Sequence, residues 1–195
     1  MHIRPTSTCS STTKILRRMA NLALLRVAPL LSATSYVTFT FCEDTFIRPL
    51  VHNEPSKTEL RKNANQVFPG FISRFTRRGL PFIFLSYPIS IATAAANLAN
   101  TQPSVTFDVN GSFQARAAAA LYLAGLIFSV LHFPFGPTAM SYLNPVAAAQ
   151  GDEDDPQTDN TSKMTKWLKL NAIRGIAADL PSWASYFAAF LLAMS

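Results

Sequence analysis

The sequence has few cysteines and few charged residues, and both shortages exclude classes of protein. Its 195 residues include only two cysteines, Cys9 and Cys42, which form neither a metal-binding spacing nor a disulfide framework. Charged residues make up 14% of the chain, against roughly 25% in average soluble domains. The sequence also has no glycine-rich phosphate loop, CxxC pair or HExxH motif. The common signatures of nucleotide, dithiol and zinc sites are therefore missing.

The chain is instead rich in apolar residues, and its positive charges lie next to them. Hydrophobic residues make up 49% of the sequence, and the formal net charge is +6. Lys and Arg beside apolar runs are typical of membrane proteins, where they collect on the side that is not translocated. We therefore expect a membrane lipid environment and no nucleic-acid partner.

Four apolar runs are long enough to cross a bilayer. They lie at 20–42, 80–99, 115–134 and 175–195. About 20 residues at about 1.5 Å each span a hydrocarbon core of about 30 Å, and a segment in lipid must satisfy its backbone groups as a helix. A soluble all-α bundle is the alternative, but its surface helices would need a polar face, which the last three runs lack. The sequence predicts an all-α, integral membrane four-helix bundle.

Two parts of the chain are distinguished by composition. Residues 1–19 form a polar, basic N-terminal segment, and residues 20–195 form the four-span membrane domain, with an acidic loop at 151–160. Segment 1–18 has no acidic residue, so it resembles either a mitochondrial presequence or the flank of a signal anchor. We favour the anchor, because the apolar run after it is long enough to stay in the membrane.

The segments between the runs are interpreted as loops at 43–79, 100–114 and 135–174. Within the last of these, 162–174 has the pattern of an amphipathic helix that leads into the fourth span. Its lysines and Trp167 suit a position at the level of the lipid headgroups.

Charge counts and glycosylation motifs give a testable orientation. The two larger loops carry 11 Lys or Arg residues and the terminal side carries 5, which favours cytosolic loops, although the basic cluster before the first span favours the opposite. Sequons at Asn110 and Asn160 lie on opposite sides of the membrane in this topology, so at most one is used. The favoured orientation selects Asn110 and an endomembrane location, with the endoplasmic reticulum first.

A group of polar residues is predicted to meet where the third span ends and the fourth begins. Ionisable groups at membrane depth are costly and usually functional, and the candidates are His132, Asn144, Asn171, Arg174 and Asp179. Each has a structural alternative. His132 can be a packed interfacial histidine, and the Asp179 carboxylate can bind free N–H groups at a helix start.

Helix geometry raises a difficulty for this group. Asn171 and Arg174 share a helix face. Asp179 lies about 140° away from Arg174 at ~100° per residue. We expect both on one face only if Gly175 or Pro181 bends the helix. The aromatic residues nearby form either an apolar pocket or an interfacial belt.

Outside this group, two polar residues lie inside the spans. Arg26 in the first span is expected to snorkel or to pair with a carbonyl. Asn97 in the second is expected to cap a helix end.

Two stretches of the sequence carry a family resemblance, PFGPTAMSYLN after the third span and WLKLNAIR before the fourth. They resemble the four-span DUF1772 family, which includes the anthrone oxygenases of fungal polyketide pathways. PFGPTAMSYLN is similar to the family's PF-x4-M-x3-N stretch, with Pro134, Phe135, Met140 and Asn144 on the motif positions. WLKLNAIR is similar to W-x2-L-H-x2-R before the last span, with Trp167, Leu170 and Arg174 matching and Asn171 in place of the histidine. A weaker match is FISRFTRRGLPF, with Phe75, Arg78 and Gly79.

The resemblance implies a monooxygenase of secondary-metabolite biosynthesis that uses O₂ as co-substrate and needs no resident cofactor or metal. It would act on a small aromatic, polyketide-like substrate, an anthrone or a related molecule. A base removes an acidic proton, and the resulting carbanion reacts with O₂. By this implication His132 is the base, Arg174, Asn171 and Asn144 are oxyanion partners, and Asp179 orients one of them or replaces the base. The alternative is a non-catalytic four-span scaffold or partner-binding protein, and the oligomeric state stays open.

Overall fold

A computed structural model describes residues 8–51, 58–100, 113–149 and 159–194, and all regular secondary structure in these ranges is helical. The helices are α1 (Thr8–Val51), α2 (Thr58–Asn100), α3 (Phe113–Leu131), α4 (Phe135–Ala148), α5 (Asn160–Arg174) and α6 (Leu180–Met194), with a π-helical turn at Gly175–Asp179 between α5 and α6. The chain is an all-α, four-helix membrane bundle, as the apolar runs predict.

Four helical segments are long and apolar enough to cross a membrane, at Leu16–Val51, Asn63–Asn100, Phe113–Ala148 and Asn160–Met194. They have 35 to 38 residues each, which at about 1.5 Å per residue exceeds a bilayer's hydrocarbon core of about 30 Å. Each span therefore continues as a helix beyond the lipid. The closest helix pairs are α3 with α6 and α1 with α2.

The prediction of long loops is wrong over most of their length. Residues 43–51 and 58–79 continue α1 and α2, and 135–148 forms α4. Charged and polar residues there end an apolar run without ending a helix. The predicted amphipathic helix at 162–174 is confirmed as α5. Its Trp167 is only 2% exposed and packs against Phe75, so this side chain faces the core of the bundle, and its position at the headgroup level stays a prediction.

The sequon at Asn160 lies in the first turn of α5. Its side chain is 2% exposed, and its Nδ2 donates a hydrogen bond to the main-chain oxygen of Asn65 at 3.1 Å. The side chain of Asp159 caps the same helix start. Only these last two positions of the predicted acidic loop 151–160 are described. Asn110, the sequon that the predicted topology selects, lies outside the described residues.

The bundle has two cores, one above the other along the helices. We call the segments 20–42, 80–99, 113–131 and 180–194 the apolar half, and the segments 43–51, 58–79, 135–148 and 160–174 the charged half. The core of the apolar half consists of alanines and tyrosines: Ala33, Tyr36, Tyr87, Ala94, Tyr122, Tyr186 and Ala189. The core of the charged half is built mainly from larger apolar side chains, among them Ile47, Phe68, Ile72, Leu143, Met164, Trp167 and Leu168.

Pro29 shows how the apolar half satisfies its backbone groups. A proline inside a helix leaves carbonyl oxygens one turn earlier without their usual donors, and in lipid these need other partners. Asn97 donates from Nδ2 to the Leu25 oxygen at 2.7 Å, and the Tyr122 hydroxyl donates to the Arg26 oxygen at 2.9 Å. Asn97 thus joins two helices, and the prediction that it only caps a helix end is wrong.

The side chain of Arg26 adopts one of its two predicted alternatives. Its Nη1 donates to the carbonyl oxygen of Ala193 at 2.7 Å. The guanidinium therefore joins α1 to the end of α6 and belongs to the packing of the bundle.

Candidate active site

Asp179 is the centre of a buried polar cluster at the junction of the two halves. Its side chain is 1% exposed. Oδ1 accepts a hydrogen bond from the Tyr87 hydroxyl at 2.8 Å and lies 3.0 Å from His132 Nδ1. Oδ2 accepts from the Thr40 hydroxyl at 3.2 Å and lies 3.4 Å from Arg174 Nε. One carboxylate thus joins residues from α1, α2, the end of α3 and α5.

The π-helical turn explains how Arg174 and Asp179 come together. The main-chain N–H of Leu180 bonds to the Gly175 oxygen, five residues earlier. Such a wider turn brings positions i and i+5 closer to the same face than an α-helix does. Pro181 has no N–H to continue the regular pattern, and Gly175 allows Thr40 of α1 to approach closely. The expectation that Gly175 or Pro181 must alter the helix is consistent with this geometry.

His132 occupies the break between α3 and α4. It comes directly after the last residue of α3, and its main-chain oxygen accepts from the N–H of Phe135 at 3.2 Å as the turn closes. The imidazole is buried and lies on the Tyr87 ring, with centroids 3.7 Å apart. Tyr87 therefore contacts both members of the His132–Asp179 pair, and limits how either can rotate.

Arg174 connects the cluster to a second carboxylate. Its Nη2 donates to the hydroxyl oxygen of Thr40 at 3.1 Å and lies 3.5 Å from Glu43 Oε2. Both charged side chains of this pair are less than a tenth exposed. With His132 neutral and both carboxylates ionised, the cluster would carry one negative charge in excess. A buried excess charge is unfavourable, so the uptake of one proton would balance the cluster.

A groove of about 320 Å³ gives access to one side of the cluster. It lies between α1 and the α5–α6 segment, and its wall is mostly apolar. Its polar lining consists of Thr40, Asn171 and Asp179, together with Asp44 and Arg48, which are exposed and paired with each other. Two exposed apolar side chains, Phe41 and Ile176, also line it. The groove therefore opens on a surface that is partly apolar and partly charged.

The structure brings together four of the five candidate residues. His132 and Arg174 each contact Asp179, and Asn171 lies beside Glu43 and lines the groove. Asn144 is exposed on α4 and is hydrogen-bonded to none of the described cluster residues. The expected convergence is wrong for Asn144, because α4 turns its apolar side, including Leu143 and Val146, toward the core.

Three residues of the cluster were missed by sequence reasoning: Thr40, Glu43 and Tyr87. Tyr36, Thr40 and Glu43 are spaced at i, i+4 and i+7, which places them on one face of α1. The pattern is not visible within the first apolar run, because that run stops at residue 42 and Glu43 lies just beyond it. Tyr87 gave no signal, since a tyrosine in an apolar run is equally expected in a core or a belt.

A layer of buried hydroxyl groups lies behind the cluster in the apolar half. The Tyr36 hydroxyl and Ser182 Oγ are 2.7 Å apart, and Ser182 Oγ and Ser129 Oγ are also 2.7 Å apart. Ser129 is bonded in turn to the Tyr186 hydroxyl at 3.1 Å. The Tyr36 ring stacks on Tyr87 with centroids 4.1 Å apart. This layer fixes the ring that holds His132 and Asp179.

The described residues contain no group of three or more His, Cys, Asp or Glu side chains arranged to hold a metal ion. The cluster's two carboxylates and one imidazole are instead engaged with Tyr87, Thr40 and Arg174. What the arrangement offers chemically is an acid–base pair held in fixed orientation beside an apolar groove.

Comparison with known proteins gives relatives over nearly the whole chain. Epoxidase pydX of an Acremonium species is 28% identical over 173 residues, which is 89% of this chain and 96% of that protein. The probable epoxidase scpX of Mollisia scopiformis is 29% identical over 171 residues, 88% of this chain and 96% of that protein. Epoxidase gkaX of Penicillium citrinum is 26% identical over 174 residues, which is 89% of this chain and 97% of that protein.

No protein-family model matches the chain, and no solved structure matches it. The chain is therefore similar in sequence to fungal proteins named as epoxidases, and these names indicate an oxidoreductase.

Proposed function

We propose that this chain is a membrane-embedded oxygenase that transfers oxygen to a small, largely apolar substrate entering from the lipid. The observation that carries the proposal is the buried charged cluster around Asp179, which lines an apolar groove. Charged groups are costly to bury at membrane depth and are retained mainly for function. The relatives named as epoxidases support oxygen transfer as the reaction. An endomembrane, with the endoplasmic reticulum first, is the compartment we propose.

In its specific form the proposal is the anthrone-oxygenase chemistry that the two motifs imply. Asp179 lines the groove, so its carboxylate is the base that meets the acidic CH₂ of the substrate. His132 donates its Nδ1 hydrogen to Oδ1, 3.0 Å away, and so holds the carboxylate in position for proton abstraction. Proton uptake by Asp179 is favoured because it cancels the cluster's excess negative charge. Tyr87 and Thr40 keep the carboxylate in position throughout.

The oxygen step needs no electron source other than the substrate. The carbanion forms one C–O bond to O₂ and becomes a peroxide, which takes up a proton. Loss of water then breaks the O–O bond and the remaining C–H bond at that carbon. In total, one CH₂ and one O₂ become one C=O and one water. We therefore propose that the reaction proceeds without a resident cofactor.

The same peroxide can also yield an epoxide, the product that the relatives' names indicate. If an electron-poor C=C lies near the peroxide, its outer oxygen is transferred to the alkene while the O–O bond breaks. The carbon that bore the peroxide keeps an alcohol, so both atoms of O₂ remain in the product. The substrate's structure, rather than a different site, decides between the two outcomes.

The test uses the purified protein in lipid nanodiscs, supplied with an anthrone under ¹⁸O₂. We expect the quinone with one ¹⁸O atom in its new carbonyl. His132→Ala and Asp179→Asn should each lower the rate by about 10²-fold or more, as for loss of a general base. Ser35→Ala is the control, because Ser35 is exposed and bonds only to its own helix.

Two results would contradict the proposal at different levels. Quinone formation no faster than the spontaneous rate removes the anthrone form, and a panel of alkene substrates then tests epoxide formation. If none of these gives a labelled product, the oxygenase proposal fails and the non-catalytic scaffold is the interpretation that remains. Full turnover in both variants would instead show that the site is wrong.

A further inference from the structure

Asn171 is a buried amide whose oxygen has no hydrogen-bond partner among the described residues. Its side chain is 3% exposed, Oδ1 is unbonded, and the NH₂ is the group that can donate to the Glu43 carboxylate beside it. Buried polar groups in folded proteins are nearly always bonded, because an unsatisfied one is destabilising. A buried amide oxygen without a donor, in the wall of a groove, therefore points to a ligand.

The groove contains the place where that ligand would bind. Asn171 lines it together with Asp179 and Thr40, and with Asp44 and Arg48, which are paired with each other. The remaining lining residues are apolar. The hydroxyl of Thr40 is already committed, since it donates to Asp179 and accepts from Arg174. Asn171 is thus the polar group of the groove that is left to recognise a molecule.

The chemistry of an amide defines what it can recognise. A primary amide presents a carbonyl acceptor and an N–H donor side by side. Its complement is a group with an N–H or O–H donor next to a carbonyl oxygen. The Glu43 carboxylate beside Asn171 is an acceptor, and it favours an orientation in which the amide NH₂ lies nearest to it. The Asn171 oxygen is then available to accept from the ligand.

We infer that Asn171 is the specificity-determining residue of the groove and binds the polar edge of an otherwise apolar substrate, an edge that presents an N–H or O–H donor beside a carbonyl, as in a lactam or a hydroxy-ketone. The inference rests on the proposed function in that it names the substrate class for the same site. Anchoring this edge at Asn171 places the neighbouring carbon within the groove that Asp179 lines.

The test measures binding without turnover, on the protein in nanodiscs under anaerobic conditions. The probes are an alkyl-substituted lactam and its N-methyl analogue, and a hydroxy-anthraquinone and its O-methyl ether. Methylation removes the donor and leaves the apolar surface. We expect the wild-type protein to bind at least one unmethylated probe about tenfold more tightly than its methylated partner, consistent with loss of a buried hydrogen bond. Which pair shows the difference identifies the lactam or the hydroxy-ketone as the polar edge.

Asn171→Leu removes the amide while keeping a similar volume. We expect it to bind methylated and unmethylated probes equally, and to melt at the same or a higher temperature than the wild type without ligand, because it removes an unsatisfied polar group. A merely structural asparagine would lower the melting temperature instead. Asn63→Leu, at an exposed position of α2, is the matched control and should keep the wild-type preference.

Clear outcomes overturn the inference. The inference is overturned if the wild-type protein binds the methylated and unmethylated members of every pair equally, and this result holds even if no variant folds. It is also overturned if Asn171→Leu keeps the wild-type preference for the unmethylated probe. A preference that depends on Asn171 in a protein that never turns over an anthrone or alkene would leave this site standing while the oxygenase proposal fails.

Discussion

The apolar half and the charged half belong to the same long helices but are packed by different means. Apart from Tyr87, which bonds to Asp179, the buried tyrosines in the apolar half bond through their hydroxyls to serines or backbone oxygens, as Tyr36 does with Ser182 and Tyr122 with Arg26. The charged half buries larger apolar side chains such as Trp167. Lipid is as apolar as leucine, so helices within it associate through close approach and hydrogen bonds. Where water begins, burial of apolar surface stabilises by roughly 25 cal/mol per Å². Core composition therefore indicates where the solvent changes along each helix.

The candidate active site lies at the boundary between these two environments. Its hydroxyl partners Thr40 and Tyr87 come from the apolar runs, whereas Glu43 and Arg174 come from the charged half. A site at this depth can receive an apolar substrate from the lipid and still hold charged groups, because the charges lie at the end of the apolar core rather than at its centre.

The two largest effects are expected at the boundary and in the core of the charged half. Arg174→Leu leaves Glu43 and Asp179 without the guanidinium that lies between them, and we expect a loss of about 3–5 kcal/mol in the free energy of unfolding, typical of a broken buried ion pair. Adding Glu43→Gln should recover part of this loss, because it removes one of the two unpaired charges. Unfolding in mixed micelles measures both variants. A double variant no more stable than Arg174→Leu would contradict the charge balance described for this cluster.

Trp167→Ala tests the charged half. Trp167 is 2% exposed and packs edge-on against Phe75 with ring centroids 6.2 Å apart. We expect a loss of about 3–5 kcal/mol, as for other large aromatic residues removed from a core. Hydrogen exchange should increase first in α5, with α6 protected for longer. If α5 and α6 lost protection from hydrogen exchange together, the two cores would not be separately packed, which contradicts the distinction between the halves.

Gly125→Ala tests the apolar half and should have the smallest effect of the three. A Cβ at Gly125 would lie 2.5 Å from the Tyr186 ring, too close for any real contact. Tyr186 must shift, and we expect a loss of about 1–3 kcal/mol from overpacking. In a Tyr186→Leu background, which removes the ring, the loss from Gly125→Ala should shrink to nearly zero. Equal losses in the two backgrounds would mean that close approach at Gly125 does not hold α3 and α6 together.

Sequence reasoning was strongest for the spans and weakest for the segments that connect them. Four apolar runs near 20 residues long dictate helices, because backbone groups in lipid have no other partners. Hydropathy marks the end of lipid contact, however, and not the end of hydrogen bonding. For this reason 43–51, 58–79 and 135–148 were predicted as loops and are helices.

The candidate site was partly predictable for the same reason. His132, Arg174 and Asp179 stand out because charge is rare in such a chain, and the order of the spans brings their ends together. Asn144, an uncharged polar residue after the third span, was expected in the same group and lies outside the cluster. Polarity alone does not reveal which side of a helix faces the core.

The sequence by itself determined that the chain crosses a membrane four times as helices and that its ionisable residues collect near one end of the spans. Only the tertiary structure decided that Arg174 and Asp179 share a face. The angle between two positions depends on the hydrogen-bond register of the backbone, and the π-helical turn before Pro181 changes that register. Likewise, the partners of Asp179 from α1 and α2 are set by how the long helices pack, which no local pattern of residues records.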